Sequence, residues 1–261
     1  MPQQQSMLVF QSDFGLVDGA VPSMYGVALK VDPSLRLFNL THDITPYDIW
    51  EASYRLFQTI QYWPEGSVFV SVVDPGVGSD RKSVVAHTVP GHYIVTPDNG
   101  TLTHVKRYVG IDSVREIDES RYMRPGTDES YTFHGRDLYA NTGAMLASGK
   151  ASYEEIGPPL SAGMVVELPI GTMERSPGSV KGRIDILDVR FGSLWTDITK
   201  EDFATLGVNY GDEVDVVIRK DGIQVYSARV RFGKSFAAVP AGELVVYINS
   251  LYRVALAINQ G

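Results

Sequence analysis

The sequence predicts an α/β protein in two parts. An N-terminal, mostly parallel α/β sandwich-like domain is expected over residues 1–165, then a linker at 166–178, then a C-terminal all-β barrel domain over 179–261. Three observations carry this. Three apolar strands alternate with two helical segments before residue 74, the order that builds βαβ units and a largely parallel sheet. A proline- and glycine-rich stretch, Gly157-Pro158-Pro159 and then Gly171 to Gly178 with Pro169 and Pro177, interrupts all periodicity. Beyond it come short alternating runs with a hairpin signal at Asp221-Gly222, the pattern of a small barrel.

Taken in order, Met7-Leu8-Val9-Phe10 is a short apolar strand ending in Gln11-Ser12-Asp13-Phe14-Gly15, an acid at a strand end. Residues Pro22 to Lys30 follow with Met24, Val27 and Ala28 on one helical face. Leu35 to Leu40 is the next strand. The turn Thr41-His42-Asp43-Ile44-Thr45-Pro46 leads into a helix with Ile49, Ala52, Leu56, Phe57 and Ile60 near the 3.6-residue period. The third strand, Val68 to Val73, stops at Asp74-Pro75-Gly76. Pro75 donates nothing to a ladder, and Gly76 and Gly78 permit a sharp turn, so the chain must leave the sheet there. Arg81 and Lys82 return positive charge just before a strand at Ser83 to Ala86. Tyr93 to Thr96 is a further strand, ending in Pro97-Asp98-Asn99-Gly100, and Thr101 to Tyr108 reads as a short helix. Tyr131 to Asp137 contains His134 and precedes a helix from Leu138 to Ser148. In the second half, Val180–Leu187, Glu213–Ile218, Ile223–Val230, Glu243–Asn249 and Val254–Ile258 read as strands.

At 261 residues the chain is long enough for two domains with substantial cores. Its 44% hydrophobic and 21% charged residues are those of a folded globular protein. A net charge of −8, without a local Lys/Arg cluster, argues against a nucleic-acid surface. No segment is apolar and long enough to span a membrane, and Met1 to Ser6 is polar, unlike a signal peptide. The absence of cysteine removes disulfides, thiolate metal sites and a cysteine nucleophile. A cytoplasmic setting is the expectation.

Ligands of open parallel sheets bind beyond the carboxyl ends of strands, where Asp13, Asp74 and Asp98 all fall. With Arg81, Asn99 and His134 they form the candidate polar set. Each has a plain structural reading too. Asp-Pro-Gly is a common turn, an arginine after a turn is ordinarily solvated, and Asp137 reads as a cap or first-turn acid. His87, His92 and His104 read as surface or packing residues. Carboxylates with histidine suit a divalent metal, but no HxH or HExxH spacing is present. Gly76-Val77-Gly78 is too short for a phosphate cradle, and there is no GxSxG elbow.

Several motifs together carry a resemblance: Ser12-Asp13-Phe14-Gly15, His42-Asp43-Ile44-Thr45-Pro46, Val73-Asp74-Pro75-Gly76-Val77-Gly78 with Arg81, Thr96-Pro97-Asp98-Asn99-Gly100, Phe133-His134-Gly135-Arg136-Asp137 and Ile248-Asn249-Ser250. In this order, over essentially the whole chain, they resemble the S-adenosyl-L-methionine hydroxide adenosyltransferases, relatives of the fluorinase and chlorinase. The resemblance implies a homotrimer whose sites lie between the N-terminal domain of one subunit and the barrel domain of a neighbour. It implies hydrolysis of S-adenosylmethionine (SAM) to adenosine and L-methionine by water or hydroxide attacking C5′. The family's polar trio falls on Asp74, Arg81 and His134, and no cofactor or metal is implied.

By the same resemblance Asp13 accepts the ribose hydroxyls and Tyr47 lies beside the ribose and the methionine chain. Asp188 pairs with the methionine ammonium, Phe191, Ser193 and Ser250 line the pocket, and Phe236 stacks on adenine. Ser193 stands where the fluorinase has Asn. Halogenating relatives lack an acid at the position of Asp74, where a carboxylate would repel halide, and they carry a loop that this chain lacks. Hydrolysis is therefore expected over halogenation, with a non-catalytic adenosine or SAM binding module and a metal-dependent hydrolase as rivals. The chain ends at Asn259-Gln260-Gly261, where longer relatives are expected to continue near the adenine.

Overall fold

The computed structural model describes residues 7–127, 131–188 and 190–261. The reading of Met1 to Ser6 as a polar start lies outside these. By its internal contacts the chain divides into two units, Met1–Leu168 and Pro169–Gly261.

The first unit is built on a seven-stranded sheet of β1 (Met7–Ser12), β2 (Arg36–Thr41), β3 (Val68–Val72), β4 (Ser83–Thr88), β5 (Tyr93–Pro97), β6 (Ile111–Glu116) and β7 (Pro159–Leu160), in the order β2-β1-β3-β5-β4-β6-β7. The pairs β1/β2, β1/β3 and β3/β5 are parallel, and β4/β5, β4/β6 and β6/β7 antiparallel. Parallel strands therefore make one side of the sheet, and β1 and β3 lie side by side, with Ser12 in register with Val72. This adjacency brings the loops after both strands to one edge.

Alternation along the strands sorts two cores. Leu8, Phe10, Val68, Val70 and Val72 pack on α1 (Ala20–Val31) and α5 (Asn141–Ala147). Val9, Phe69, Val84 and Ala86 face the opposite layer with α2 (Ile49–Ile60) and α3 (Thr103–Tyr108). Because helices cover both faces, every residue of β3 is buried, and all are apolar but Ser71, whose Oγ accepts from Gln11 Nε2 at 2.8 Å. Helix α2 starts where Asp48 accepts the Glu51 N–H at 2.8 Å, an N-cap. A further short helix, α4 (Glu119–Tyr122), follows β6.

The helix expected at Leu138 begins earlier. Gly135–Ala140 forms a π-helical turn that starts directly after His134 and runs into α5. Such turns interrupt α-helices often at functional sites. Gly135 is what lets it fit, since a methyl there would lie 3.1 Å from the Phe14 ring and 3.2 Å from Val72 Cγ1. Strands β6 and β7 were not anticipated; β6 alternates weakly, and β7 is two residues pinned to it.

In the second unit β8 (Glu174–Ser176) and β9 (Ser179–Lys181) form a small hairpin inside the stretch expected to be a linker and the run after it. The main sheet holds β10 (Ile184–Asp188), β11 (Ser193–Thr199), β12 (Glu213–Lys220), β13 (Ile223–Phe232), β14 (Leu244–Ile248) and β15 (Arg253–Ile258), in the order β10-β11-β15-β14-β13-β12, with a short helix α6 (Lys200–Ala204). Asp221 and Gly222 both take positive φ, +52° and +80°, as the tight β12/β13 hairpin requires. The strands expected to form a barrel make one curled sheet, with β10 and β12 at the ends of its order among the described residues.

Candidate functional site

Three strand-end loops of the first unit converge on a cavity of about 270 Å³ whose lining includes Asp13, Phe14, Tyr47, Asp74, Val77, Phe133 and His134. Each residue gets there for a local reason. Asp74 follows the buried end of β3, and the chain turns at once, with Val77 N–H on the Asp74 carbonyl at 3.3 Å and Ser79 N–H on that of Gly76 at 3.0 Å. Gly78 takes φ +79° in this turn. The loop delivers Arg81 back onto Asp74.

Arg81 Nε donates to Asp74 Oδ1 at 2.9 Å and Nη2 to Oδ2 at 2.5 Å, a bidentate pair with side chains only 10% and 6% exposed. The same Nη2 lies 3.1 Å from His134 Nδ1. Arginine has donors only, so Nδ1 must accept, and the neutral ring carries its proton on Nε2. Burial, and then the Arg81 charge, hold the His134 pKa below its ordinary value, which agrees with a neutral ring. His134 Nε2 is buried and meets no hydrogen-bond partner among the described residues. A buried N–H donor without an acceptor is costly, and at the edge of a cavity it is a place for a ligand oxygen.

Behind the trio, Arg81 Nη1 donates to Ser83 Oγ at 3.0 Å, Ser83 Oγ donates to Glu119 Oε1 at 2.7 Å, and Tyr139 OH lies 3.1 Å from the same Oγ. The guanidinium carbon stands 5.7 Å from the Tyr139 ring centre. Burial raises the Tyr139 pKa, keeping it a neutral donor. Sequence reading missed Ser83, Glu119 and Tyr139, because each sits in a strand or helix where nothing but packing is signalled.

Asp13 Oδ2 accepts the Tyr47 N–H at 2.9 Å. Tyr47 is 73% exposed and takes φ +68°, a strained conformation for a residue with a side chain. Its strain aims the N–H at Asp13 and leaves Oδ1 without a bond from that loop. Phe14 and Phe133 meet edge to face at 5.6 Å and form an apolar wall.

Three candidates do not line the cavity: Arg81, which meets it only through Asp74 and His134, and the pair Asp98 and Asn99. Asn99 Nδ2 donates to the Val73 carbonyl at 2.9 Å, so it braces the strand end from which Asp74 projects. Asp98 is buried, its pKa raised by that burial, and accepts the Val166 N–H at 2.9 Å. Asp137 is buried between Arg124 Nε at 3.0 Å and Arg136 Nη2 at 2.6 Å. Although burial pushes its pKa up, the arginines more than offset it and the net shift is downward. His104 is buried among Trp50, Tyr54 and Phe57, and His92 is buried against Phe69.

In the second unit Asp188 and Ser193 face each other across the β10/β11 hairpin, with Phe191, 64% exposed, at its turn. Phe236 packs its ring 4.9 Å from Tyr247. Ser250 is exposed in the β14/β15 turn, at the end of β15 opposite Ala257, the partner of Ser193. This unit gathers Asp188, Phe191 and Ser193 at one hairpin and leaves Ser250 apart from them.

Among the described residues, no group of three or more His, Asp or Glu is gathered to hold a metal ion, and no helix is long and apolar enough to cross a membrane.

Residues 8–157 match the family model of the SAM hydroxide adenosyltransferase N-terminal domain, and residues 182–261 that of its C-terminal domain. An (R)-S-adenosyl-L-methionine hydrolase of Methanocaldococcus jannaschii is 35% identical over 236 residues, covering 88% of this chain and 80% of the relative. One of Salinispora arenicola is 31% identical, covering 97% and 90%. A fluorinase of Actinoplanes sp. is 28% identical, covering 97% and 91%. A crystal structure of an uncharacterized conserved protein from Thermotoga maritima superposes with a TM-score of 0.88 at 32% identity, covering 98% of this chain and 93% of that one.

Proposed function

The chain belongs to the SAM hydroxide adenosyltransferase family, and from that membership we propose that it hydrolyses S-adenosyl-L-methionine to adenosine and L-methionine. The observation that carries this reading is the convergence of Asp74, Arg81 and His134, with 2.5 to 3.1 Å contacts between them, where Asp74 and His134 line a cavity together with Asp13 and Tyr47.

The sulfonium of the substrate departs as a neutral thioether, so the leaving side needs no acid. What neutral water lacks is a positioned, deprotonated oxygen. Arg81 holds both Asp74 oxygens in one orientation, and each keeps a lone pair for a water proton. The Nε2–H of His134 supplies a donor to the same water. As the oxygen attacks C5′, its proton passes to Asp74, the C5′–S bond breaks, and the electron pair stays on the methionine sulfur. Holding the nucleophile in line and stabilising developing hydroxide are the two contributions of the site. The step uses no cofactor.

Asp13 accepts the ribose hydroxyls through the oxygen not committed to Tyr47, and the Tyr47 ring lies along the ribose and the methionine chain. We extend the proposal to a homotrimer in which the second unit of a neighbouring subunit supplies Asp188 to the methionine ammonium, with Phe191, Ser193, Phe236 and Ser250 as further pocket residues. Unit boundaries at residues 165 and 179 with a linker between remain part of this reading.

Incubation with each sulfur epimer of SAM, followed by chromatography, tests the activity. Adenosine and methionine appear in equal amounts with the wild-type chain, and the R epimer is the better substrate, in keeping with the relatives' names. Asp74→Asn lowers turnover by about 10² or more. Tight binding of SAM with no products would instead make this a binding module. A 5′-halogenated nucleoside formed in fluoride or chloride would make it a halogenase.

A further inference from the structure

Ser12, the last residue of β1, and His42, just after β2, are both buried, and Ser12 Oγ lies 2.6 Å from His42 Nδ1. On the other side of the ring His42 Nε2 lies 3.0 Å from Asn39 Oδ1. An amide oxygen offers only lone pairs, so Nε2 donates and Nδ1 accepts, which makes the Ser12 hydroxyl the donor on that side. Ser12 Oγ in turn accepts from Phe14 N–H at 3.3 Å, and Asn39 Oδ1 also accepts from Tyr25 OH. The backbone adds a link, Gly15 N–H donating to the His42 carbonyl at 2.8 Å.

Asp13 lies between Ser12 and Gly15, which are tied to one and the same residue by side chain and by main chain. The loop that starts at His42 closes on Asp13 at its other end, through the Tyr47 N–H. His42 does not reach the Asp74 trio and takes no part in the water chemistry. A core histidine that only packed would need neither a defined tautomer nor bonds to both flanks of a site carboxylate.

We propose that His42 is a positioning residue: through Ser12 and Gly15 it fixes the Asp13 carboxylate in the orientation that accepts the ribose hydroxyls. The inference rests on the reading of Asp13 given above. Burial, against an opposing pull from Asp43, lowers the His42 pKa to about 4, so the neutral tautomer is the resident form at neutral pH.

Steady-state kinetics of His42→Leu, His42→Gln, Ser12→Ala and Asp13→Asn with SAM and its 2′,3′-dideoxy analogue test it, with melting temperatures as the folding control. His42→Leu and Ser12→Ala raise KM for SAM about tenfold, the loss of one or two hydrogen bonds, with kcat within about threefold. His42→Gln restores most of this, because its amide can accept from Ser12 and donate to Asn39. With the dideoxy analogue, which presents nothing to Asp13, the variants and wild type share one KM. If His42→Leu does not fold, Ser12→Ala carries the test. Equal losses on both substrates, or a fall in kcat at constant KM, would overturn the inference. Should Asp13→Asn raise KM while the His42 and Ser12 variants leave it alone, the inference fails and the ribose reading stands. Should Asp13→Asn leave KM unchanged, both fall.

Discussion

In the proposed reactive centre a guanidinium holds Asp74 and His134 together, and its shape is expected to matter more than its charge. Arg81 places donors on Asp74, His134 and Ser83 at once, from one planar fork. Lysine keeps the charge but has a single nitrogen, so it cannot reproduce that arrangement. Arg81→Lys is expected to keep a folded protein and lose turnover by about tenfold or more; an unchanged kcat would mean that only the positive charge is needed. Histidine makes a second prediction here. His42 and His134 both have lowered pKa values, burial being the larger cause in each. The unfolded chain, with imidazoles near the ordinary pKa of about 6.5, therefore binds protons more readily than the folded one. Their stabilising contribution is full above that pH and declines as pH falls, for His42 down to about 4. The melting temperature of His42→Gln should then drop less steeply than that of wild type between these two pH values. Parallel curves would show that His42 is not neutral in the fold. His134 protonation also removes the acceptor for Arg81, so activity falls on the acid side with a midpoint below the ordinary histidine value.

At the level of elements, the site depends on how closely the last helix of the first unit approaches the sheet. Gly143 in α5 faces β3 and β1, and a methyl there would come within 2.4 Å of Val70 Cγ2 and 3.2 Å of Leu8 Cδ1. In an open helix Gly→Ala stabilises by about 1 kcal/mol, but overpacking a core costs about 1–3 kcal/mol. The second effect wins at this distance, because β-sheet atoms cannot yield as a surface side chain would. Gly143→Ala is expected to lower the melting temperature by a few degrees, and a rise would show that α5 stands further from β3. The same close approach, repeated at Gly135, carries the π-helical turn against Phe14 and Val72 and brings His134 to Arg81. Sequence periodicity placed the helix correctly from Leu138 onward but not its first turn. A π turn shifts the apolar period by one residue and leaves no repeat to read.

On the scale of the whole molecule, the proposed trimer makes a test by complementation. Asp74→Asn and Asp188→Ala would each be inactive alone, the first lacking the base and the second the ammonium partner. If a site is completed by a neighbour's second unit, mixing the two after reversible dissociation should restore a fraction of activity, because some sites then pair an intact first unit with an intact second one. No recovery, with the trimer intact by sedimentation, would place both residues' contributions in the same chain.

Much of this protein was legible before any coordinates. The α/β order, the parallel pairing of β1, β2 and β3, and acids at strand ends follow from local rules, since apolar runs, glycine, proline and caps act within a few residues of themselves. Asp13, Asp74, Arg81 and His134 were identified as site candidates in that way or by resemblance. Other features are decided only when distant segments meet. Whether Asp98 and Asn99 entered the cavity or braced its frame depended on which carbonyl or amide lay opposite, Val73 for one and Val166 for the other. The order in which the second unit's strands pair, with β15 between β11 and β14, is a property of no single strand. Ser83, Tyr139, Glu119 and His42 looked like core or turn residues, and their roles come from partners 30 to 56 positions away. Hydrogen bonds of that span are fixed by tertiary packing, and no local sequence pattern encodes them.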